Sequence, residues 1–134
     1  MGQYFIDTTF LLSLILENDE NHEKAVRLVH KRILENDCYL SNFILNEVIT
    51  IIGNQLDEII SQKVYQMIID NFIILNEYDV PEFKNTAMDL YVNFKTILSF
   101  TDCITIALME HNNIKNLLTF NENFNKCESI EIKN

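Results

Sequence analysis

The sequence predicts an α/β fold in which a short, mostly parallel sheet is flanked by helices on both faces. The first observation is that short apolar segments alternate with longer amphipathic segments along all 134 residues. The second is that only two glycines and one proline occur, so regular elements must be joined by short polar loops. Parallel strands need crossover connections, which are usually helices. Because no repeat or linker interrupts the chain, residues 1–134 are expected to form one domain.

The predicted strands are short, apolar segments between helical patterns. They cover residues 3–6, 37–41, 72–77, 116–120 and 128–132. Asp7 directly follows the first strand, and parallel sheets bind ligands at the carboxyl ends of their strands. The acid is therefore expected at the rim of the sheet and not among the core side chains.

The predicted helices show apolar residues at helical spacing, bounded by capping residues. They cover residues 8–17, 20–36, 42–55, 57–71, 81–97 and 101–113. Asp7 or Thr8 can cap the first helix. The second has an apolar face that runs from Ala25 to Ile33. Pro81 suits the first turn of the fifth, and two asparagines can end the sixth.

Composition excludes several classes of protein. Apolar residues make up 48% of the chain and the formal charge is −10, so a basic nucleic-acid-binding surface is not expected from the overall charge. Three cysteines without a C-x-x-C pair argue against a disulfide framework and favour a reducing cytoplasm. The longest apolar run, "FLLSLIL", is too short for a membrane helix. No glycine-rich phosphate loop is present.

Three acids occupy positions beside apolar residues of elements that pack on the sheet. Asp7 follows the first strand, and Asp102 opens the last long helix. Glu47 lies between Ile44 and Ile51, at the edge of the apolar stripe of its helix and on the side that faces protein. Taken singly, Asp7 and Asp102 can be helix N-caps, and Glu47 can be a boundary residue.

Converging carboxylates repel one another and raise each other's pKa, and a hard divalent cation removes that cost. Such an ion polarises a phosphoryl oxygen and lowers the pKa of a bound water. It would also let an acidic protein approach a polyanion. Thr8 and Thr119 lie beside the acids, where a hydroxyl could contact a phosphate or serve only for capping or strand formation.

The order of four motifs resembles the PIN-domain family, in particular the toxin ribonucleases of VapBC-type toxin–antitoxin pairs. The motifs are "YFIDTTFLLSLI", "NEVITII", "SFTDCITIALMEH" and "NLLTFNENF", and the resemblance covers essentially the whole chain. It implies a PIN-like three-layer fold and cleavage of RNA that depends on Mg²⁺ or Mn²⁺. It assigns the catalytic and metal-binding positions to Asp7, Glu47 and Asp102. It also implies a homodimer and an antitoxin partner.

One position departs from the family pattern. Asn121 stands where the family often has an aspartate, and it brings no charge, although its carbonyl oxygen can accept a hydrogen bond or bind a metal. The neighbouring Glu122 could partly substitute for the missing acid. The sequence therefore leaves two functions open. One is a metal-dependent ribonuclease, and the other is a catalytically weak or inactive module whose acidic pocket binds a basic segment of a partner.

Overall fold

Five short strands form one sheet in the computed structural model, which describes residues 2–33 and 36–134. The strands are β1 (Gln3–Ile6), β2 (Asp37–Ser41), β3 (Ile73–Leu75), β4 (Asn116–Leu118) and β5 (Glu131–Lys133). Their order in the sheet is β3-β2-β1-β4-β5, and all four pairings are parallel. The predicted α/β class is confirmed, and the sheet proves to be parallel throughout.

Six α-helices connect the strands. They are α1 (Thr8–Ile15), α2 (His22–Leu28), α3 (Asn42–Gln55), α4 (Glu58–Asn71), α5 (Phe83–Asn93) and α6 (Phe100–His111). The chain steps in one direction from β1 to β3 and then back across the sheet to β4. Because such crossovers are right-handed, α1 to α4 cover one face and α5 and α6 the other. The contacts of α1 with α3, α3 with α4 and α5 with α6 agree with this arrangement.

The second and fifth predicted helices are shorter than the sequence pattern suggested. A π-helical turn, Val29–Ile33, follows α2. Residues 34 and 35 of the predicted helix, and the side chain of Ile33, lie outside what the structure describes. Pro81 precedes α5 and does not form its first turn, since Glu82 adopts a left-handed conformation with φ 54°. Lys95 and Thr96 also have positive φ values, and these end α5 well before residue 97.

The third strand is shorter than predicted, and the fifth strand begins later than predicted. β3 stops at Leu75 because Asn76 accepts a hydrogen bond from the backbone of Tyr78 and starts a 3-10 helix, Glu77–Asp79. A second 3-10 helix, Glu122–Lys126, fills the connection after β4. β5 therefore begins three residues later than predicted. No helix in the described ranges is long and apolar enough to cross a membrane.

The central strands are held in place by a core of buried apolar side chains. Phe5 and Ile6 of β1 and Leu117 and Leu118 of β4 are fully buried. From the opposite face, α6 buries every residue from Cys103 to Met109. Close packing of this kind holds the carboxyl ends of β1 and β4 in one geometry.

A topological switch point lies between β1 and β4. The chain leaves β1 toward β2 and leaves β4 toward β5, so the two connections diverge and open a crevice between the strand ends. Asp7 stands at the end of β1 and Thr119 at the end of β4. This placement at the rim of the sheet is as expected, but the side chain of Asp7 is buried there and not open to solvent.

Candidate active site

Asp7 is a buried carboxylate that caps a helix. It is the N-cap of α1, where its Oδ1 accepts the backbone N–H of Phe10 at 3.0 Å. Only 4% of the residue is exposed. The short segment from Ile6 to Thr8 thus turns a buried strand into a helix, and the acid points into the crevice at that turn. Asp7 is therefore the N-cap of α1, as the sequence suggested, and it also lies at the switch point of the sheet.

Two threonine hydroxyls hold Asp7 from either side. Thr9 Oγ1 donates to Asp7 Oδ1 at 2.8 Å, and Thr119 Oγ1 donates to Oδ2 through a short hydrogen bond. The hydroxyls accept the backbone N–H groups of Phe120 and Asn121 at 3.0 and 2.9 Å. Since each hydroxyl has one proton, both protons are directed at the carboxylate. The loop after β4 therefore orients the donors that bind the acid at the end of β1.

The hydrogen bonds leave Asp7 with capacity for one more ligand. A carboxylate has about four acceptor sites, two on each oxygen. Within the described part of the chain, Oδ1 accepts from Thr9 and from the backbone of Phe10, whereas Oδ2 accepts from Thr119 alone. The open site is therefore on Oδ2.

Asp102 is the second acid at the crevice. The sequence alone allowed Asp102 to be an N-cap, but the structure has Ser99 as the N-cap of α6. Asp102 lies three residues later and completes a capping box. Its Oδ2 accepts the backbone N–H of Ser99 at 3.1 Å and the amide Nδ2 of Asn121 at 3.4 Å. Among the described residues, nothing donates to its Oδ1, so one oxygen of Asp102 is also open.

Burial raises the pKa of both acids. The pKa of Asp7 rises from 3.8 to about 6 because the group is desolvated, and the negative charge of Asp102 adds to the increase. The hydrogen bonds from Thr119, Phe10 and Thr9 act in the opposite direction. Burial also raises the pKa of Asp102, against the hydrogen bonds of Ser99. Both carboxylates are thus held where their negative charge is costly.

Among the described residues, no basic side chain pairs with either acid. The single ion pair of those residues joins Lys133 to Glu131 at 3.5 Å. The hydrogen bonds that Asp7 and Asp102 accept there all come from neutral donors. A cation at their open oxygens would lower the pKa of both groups.

Glu47 lies farther out than its position in the apolar stripe suggested. It is exposed, contrary to the expectation that it faces the protein, and its Oε2 accepts the hydroxyl of Thr8 at 3.1 Å. Ile44 and Val48 of the same stripe are buried as predicted. Thr8 follows Asp7 directly, so this hydrogen bond joins Glu47 to the rim of the crevice.

Asn121 and Glu122 differ in their relation to the acids. Asn121 turns its amide to Asp102 and also lines a polar cleft, whose other residues include Glu122, Glu20 and Lys24. Glu122 is exposed, and within the described ranges no hydrogen bond joins it to Asp7 or Asp102.

The donor set suits a hard divalent cation, although the acids do not form a ready-made cage. Carboxylate oxygens are the ligands that Mg²⁺ and Mn²⁺ prefer. Among the described residues, no three His, Cys, Asp or Glu side chains are grouped closely enough to hold a metal ion. Asp7 and Asp102 each offer one open oxygen, whereas Glu47 is directed toward Thr8.

Sequence reasoning overlooked two residues that position the acids. Thr9 binds Asp7, and Ser99 binds Asp102. The signal for Ser99 was available, because Ser-x-x-Asp before an apolar run is a capping-box pattern. Thr9 is only two residues from Asp7, but the backbone N–H of Phe120 that orients its hydroxyl comes from the loop after β4, which only the fold brings close.

The chain belongs to the PIN-domain family. The family model matches residues 4–129, a range that includes both strands that border the crevice. No curated protein sequence gives a significant match. The resemblance noted from the four sequence motifs is therefore confirmed at the level of the family.

Solved structures share the fold at low sequence identity. The toxin VapC20 of Mycobacterium tuberculosis, described as cleaving the sarcin–ricin loop, superposes with a TM-score of 0.81 at 20% identity, over 93% of this chain and 95% of that one. VapBC2 of Rickettsia felis, bound to promoter DNA, gives 0.74 at 14% identity over 98% of both chains. DNA-bound VapBC of Salmonella typhimurium gives 0.73 at 16% identity, over 99% and 98%. These likenesses establish the fold.

Proposed function

We propose that the protein is a metal-dependent ribonuclease that hydrolyses RNA phosphodiester bonds and acts as the toxin of a toxin–antitoxin pair. One observation carries the proposal. Asp7 is buried at the switch point of the sheet, within electrostatic range of Asp102, with no basic side chain paired to either acid in the described residues. An arrangement that is costly for the fold alone is typical of a functional site.

Asp7, Asp102 and Glu47 would hold the ion, which is Mg²⁺ or Mn²⁺. Asp7 would contribute Oδ2 and Asp102 would contribute Oδ1, the oxygens that hydrogen bonds leave open. Glu47 is exposed and has a long, flexible side chain, so it can leave Thr8 and join the other two acids. This requirement is consistent with the absence of a preformed three-acid group among the described residues.

The bound ion would supply charge stabilisation at the phosphoryl group and a more acidic water. The residues of the chain perform the remaining tasks. Asp7, held by Thr9 and Thr119 in a single orientation, would fix the position of the ion and, through it, that of the attacking water. The hydroxyl of Thr8 becomes free when Glu47 turns inward, and it could then donate to a phosphate oxygen.

The partners of the protein are proposed from its family and fold. The substrate would be single-stranded RNA, since VapC20, which shares the fold, is a toxin that cleaves the sarcin–ricin loop. An antitoxin would cover the acidic crevice, because two of the similar structures are VapBC complexes. A homodimer would be the functional form.

An alternative function is a weak or inactive module that binds a basic segment of a partner. The observation in its favour is Asn121, whose neutral amide binds Asp102 at the position where the family often has a fourth acid. The formal charge of −10 would favour a basic segment in the same crevice.

The two functions are separated by a cleavage assay. Purified protein is incubated with a structured RNA mixture and Mn²⁺ or Mg²⁺, with EDTA in parallel samples. The informative variant is Asp7→Asn, which keeps a capping side chain while removing the charge. Asp57→Asn is the matched control, because Asp57 caps α4 in the same way and is exposed.

Cleavage that is lost with EDTA and in Asp7→Asn, but kept in Asp57→Asn, is the expected result. No cleavage by the unaltered protein with either metal would overturn the ribonuclease proposal. Tight binding of a basic peptide under those conditions would then support the alternative.

A further inference from the structure

A cluster of three aromatic rings and one lysine lies outside the acidic crevice. We call it the aromatic platform, and it consists of Phe43, Tyr78, Phe83 and Lys84. The ring of Tyr78 contacts Phe83 edge to face at 5.2 Å and Phe43 at 6.3 Å between centroids. The Nζ of Lys84 lies 5.8 Å from the Tyr78 ring centre and 5.9 Å from that of Phe83.

One side of the aromatic platform packs on the core, and the other side is exposed. Phe83 is buried and Phe43 is half-buried, so these two rings pack on the core. Tyr78 is 67% exposed, although it is a large ring held by defined contacts. An ordered, exposed aromatic side chain of this kind is a common feature of binding surfaces.

The backbone around Tyr78 fixes the position of its ring. Asn76 accepts the N–H of Tyr78 at 3.1 Å, and the buried carboxylate of Glu77 binds the first N–H groups of α3. The left-handed conformation of Glu82 then brings Phe83 and Lys84 against the ring. Residues that precede and follow Tyr78 in the sequence thus hold its exposed ring in place.

The platform lies on the same edge of the sheet as the acids. Phe43 and Glu47 are four residues apart in α3, so their side chains share one helix face, on the order of 6 Å apart at Cβ. Glu47 contacts Thr8, the neighbour of Asp7. A continuous path therefore runs from the crevice past Glu47 to Phe43 and Tyr78.

We infer that the aromatic platform is a nucleotide subsite, in which Tyr78 stacks on a base of single-stranded RNA and Lys84 contacts an adjacent phosphate. The inference rests on the proposed ribonuclease function. Aromatic side chains bind bases of any sequence because every base presents a π face. The exposed Glu82 lines the same surface as Lys84, so the stacking contact, and not charge neutralisation, would provide most of the affinity of this subsite.

The test measures RNA binding separately from cleavage. Fluorescence anisotropy is recorded with a short, fluorescein-labelled single-stranded RNA in EDTA, for the unaltered chain and for Tyr78→Ala and Tyr78→Phe. Tyr65→Ala is the matched control, since Tyr65 is also an exposed tyrosine but lies on α4. Cleavage kinetics with Mn²⁺ are then measured for the same proteins.

Tyr78→Ala is expected to weaken RNA binding about tenfold, as aromatic–base stacking predicts, and to raise KM with little change in kcat. Tyr78→Phe keeps the ring and should stay within about twofold of the unaltered chain. Lys84→Gln should reduce the slope of log affinity against log salt by about 0.7, the value for one contact to a single-stranded phosphate. Ultraviolet cross-linking to the RNA should map to Tyr78.

The outcomes separate this inference from the proposed function. Equal binding by Tyr78→Ala and Tyr65→Ala would overturn the subsite, even if both proteins cleave RNA. Binding that depends on Tyr78 without any cleavage would keep the subsite and overturn the ribonuclease. Absence of RNA binding in EDTA by the unaltered chain, together with cleavage in Mn²⁺, would overturn the subsite and keep the ribonuclease.

Discussion

Thr119 donates its hydroxyl proton to Asp7 across the crevice between β4 and β1, although the two residues are 112 positions apart in sequence. This hydrogen bond lowers the pKa of a carboxyl group that burial raises. It therefore sets both the charge state and the orientation of the acid that is central to the proposed site.

Removal of the Thr119 hydroxyl should raise the pKa of Asp7 above its value of about 6. Thr119→Val keeps the shape of the side chain and loses the donor, while Thr119→Ser keeps the donor. The Asp7 carboxyl resonance in a ¹³C NMR titration provides the measurement. An unchanged titration midpoint in Thr119→Val would show that the hydroxyl does not stabilise the charged form.

The charge of Asp7 should make the protein less stable as pH rises from about 4 to 6. The pKa is 3.8 in the unfolded chain and about 6 in the folded one, so the folded state retains a proton that the unfolded state loses. The free energy of unfolding should therefore fall by about 3 kcal/mol across this window and level off above it. Urea unfolding at several pH values, compared between the unaltered chain and Asp7→Asn, isolates this contribution, because the variant lacks the titrating group. Parallel pH profiles for the two proteins would contradict the prediction.

Above pH 6, divalent cations should restore the stability that is lost between about pH 4 and 6. Binding to the folded state raises the free energy of unfolding in proportion to the logarithm of the cation concentration. Thermal unfolding with increasing Mn²⁺ should show a rise in Tm for the unaltered chain and for Asp57→Asn. Asp7→Asn should show little rise, and an equal rise in all three proteins would place the ion elsewhere.

The amide of Asn121 limits the negative charge around Asp102. Asn121→Asp would replace a donor by a second carboxylate, which should raise the pKa of Asp102, lower stability without metal and tighten Mn²⁺ binding about tenfold. Asn123→Asp adds the same charge to the same 3-10 helix at an exposed position and serves as the control. Isothermal titration calorimetry with Mn²⁺ measures the affinity, and similar affinities in both variants would show that position 121 has no special role.

Glu77 should be the most important single acid for stability. It is fully buried, and its two carboxylate oxygens accept the N–H groups of Asn42 and Phe43 at 3.1 and 2.8 Å, at the start of α3. Glu77→Ala leaves both donors without partners and should cost about 3 kcal/mol in the free energy of unfolding. Asp79→Asn, on the exposed side of the same 3-10 helix, should cost less than about 0.5 kcal/mol. A small effect of Glu77→Ala in urea unfolding would mean that water replaces the carboxylate.

The features that local sequence controls were predictable. The limits of β1, β2 and α3 follow from apolar spacing and capping, and the position of Asp7 at the end of β1 follows from the order of strand and helix. The limits of α5 were not predictable from its apolar pattern. They depend on positive φ values at Glu82 and Lys95, which no apolar or capping pattern reveals.

The positions of two acids of the candidate site could be predicted from the sequence, but the long-range contacts that hold them could not. Asp7 and Asp102 belong to recognisable helix starts, so their positions follow from local rules. The hydrogen bond of Thr119 to Asp7 depends on the pairing of β1 with β4, a long-range contact that no local pattern encodes. The exposure of Glu47 depends on how α3 is rotated against the sheet, which its apolar stripe defines only approximately.

The pairing of β1 with β4 also has a consequence for synthesis. β1 leaves the ribosome before the other strands, yet β4, one of its two neighbours in the sheet, is made only after β2 and β3. A nascent chain can pair β1 with β2 early, but it has neither Asp102 nor the Thr119 hydroxyl until most residues have been translated. Under the proposed function, an incomplete chain would therefore be harmless to the ribosome that produces it, and activity would begin only after translation has passed β4.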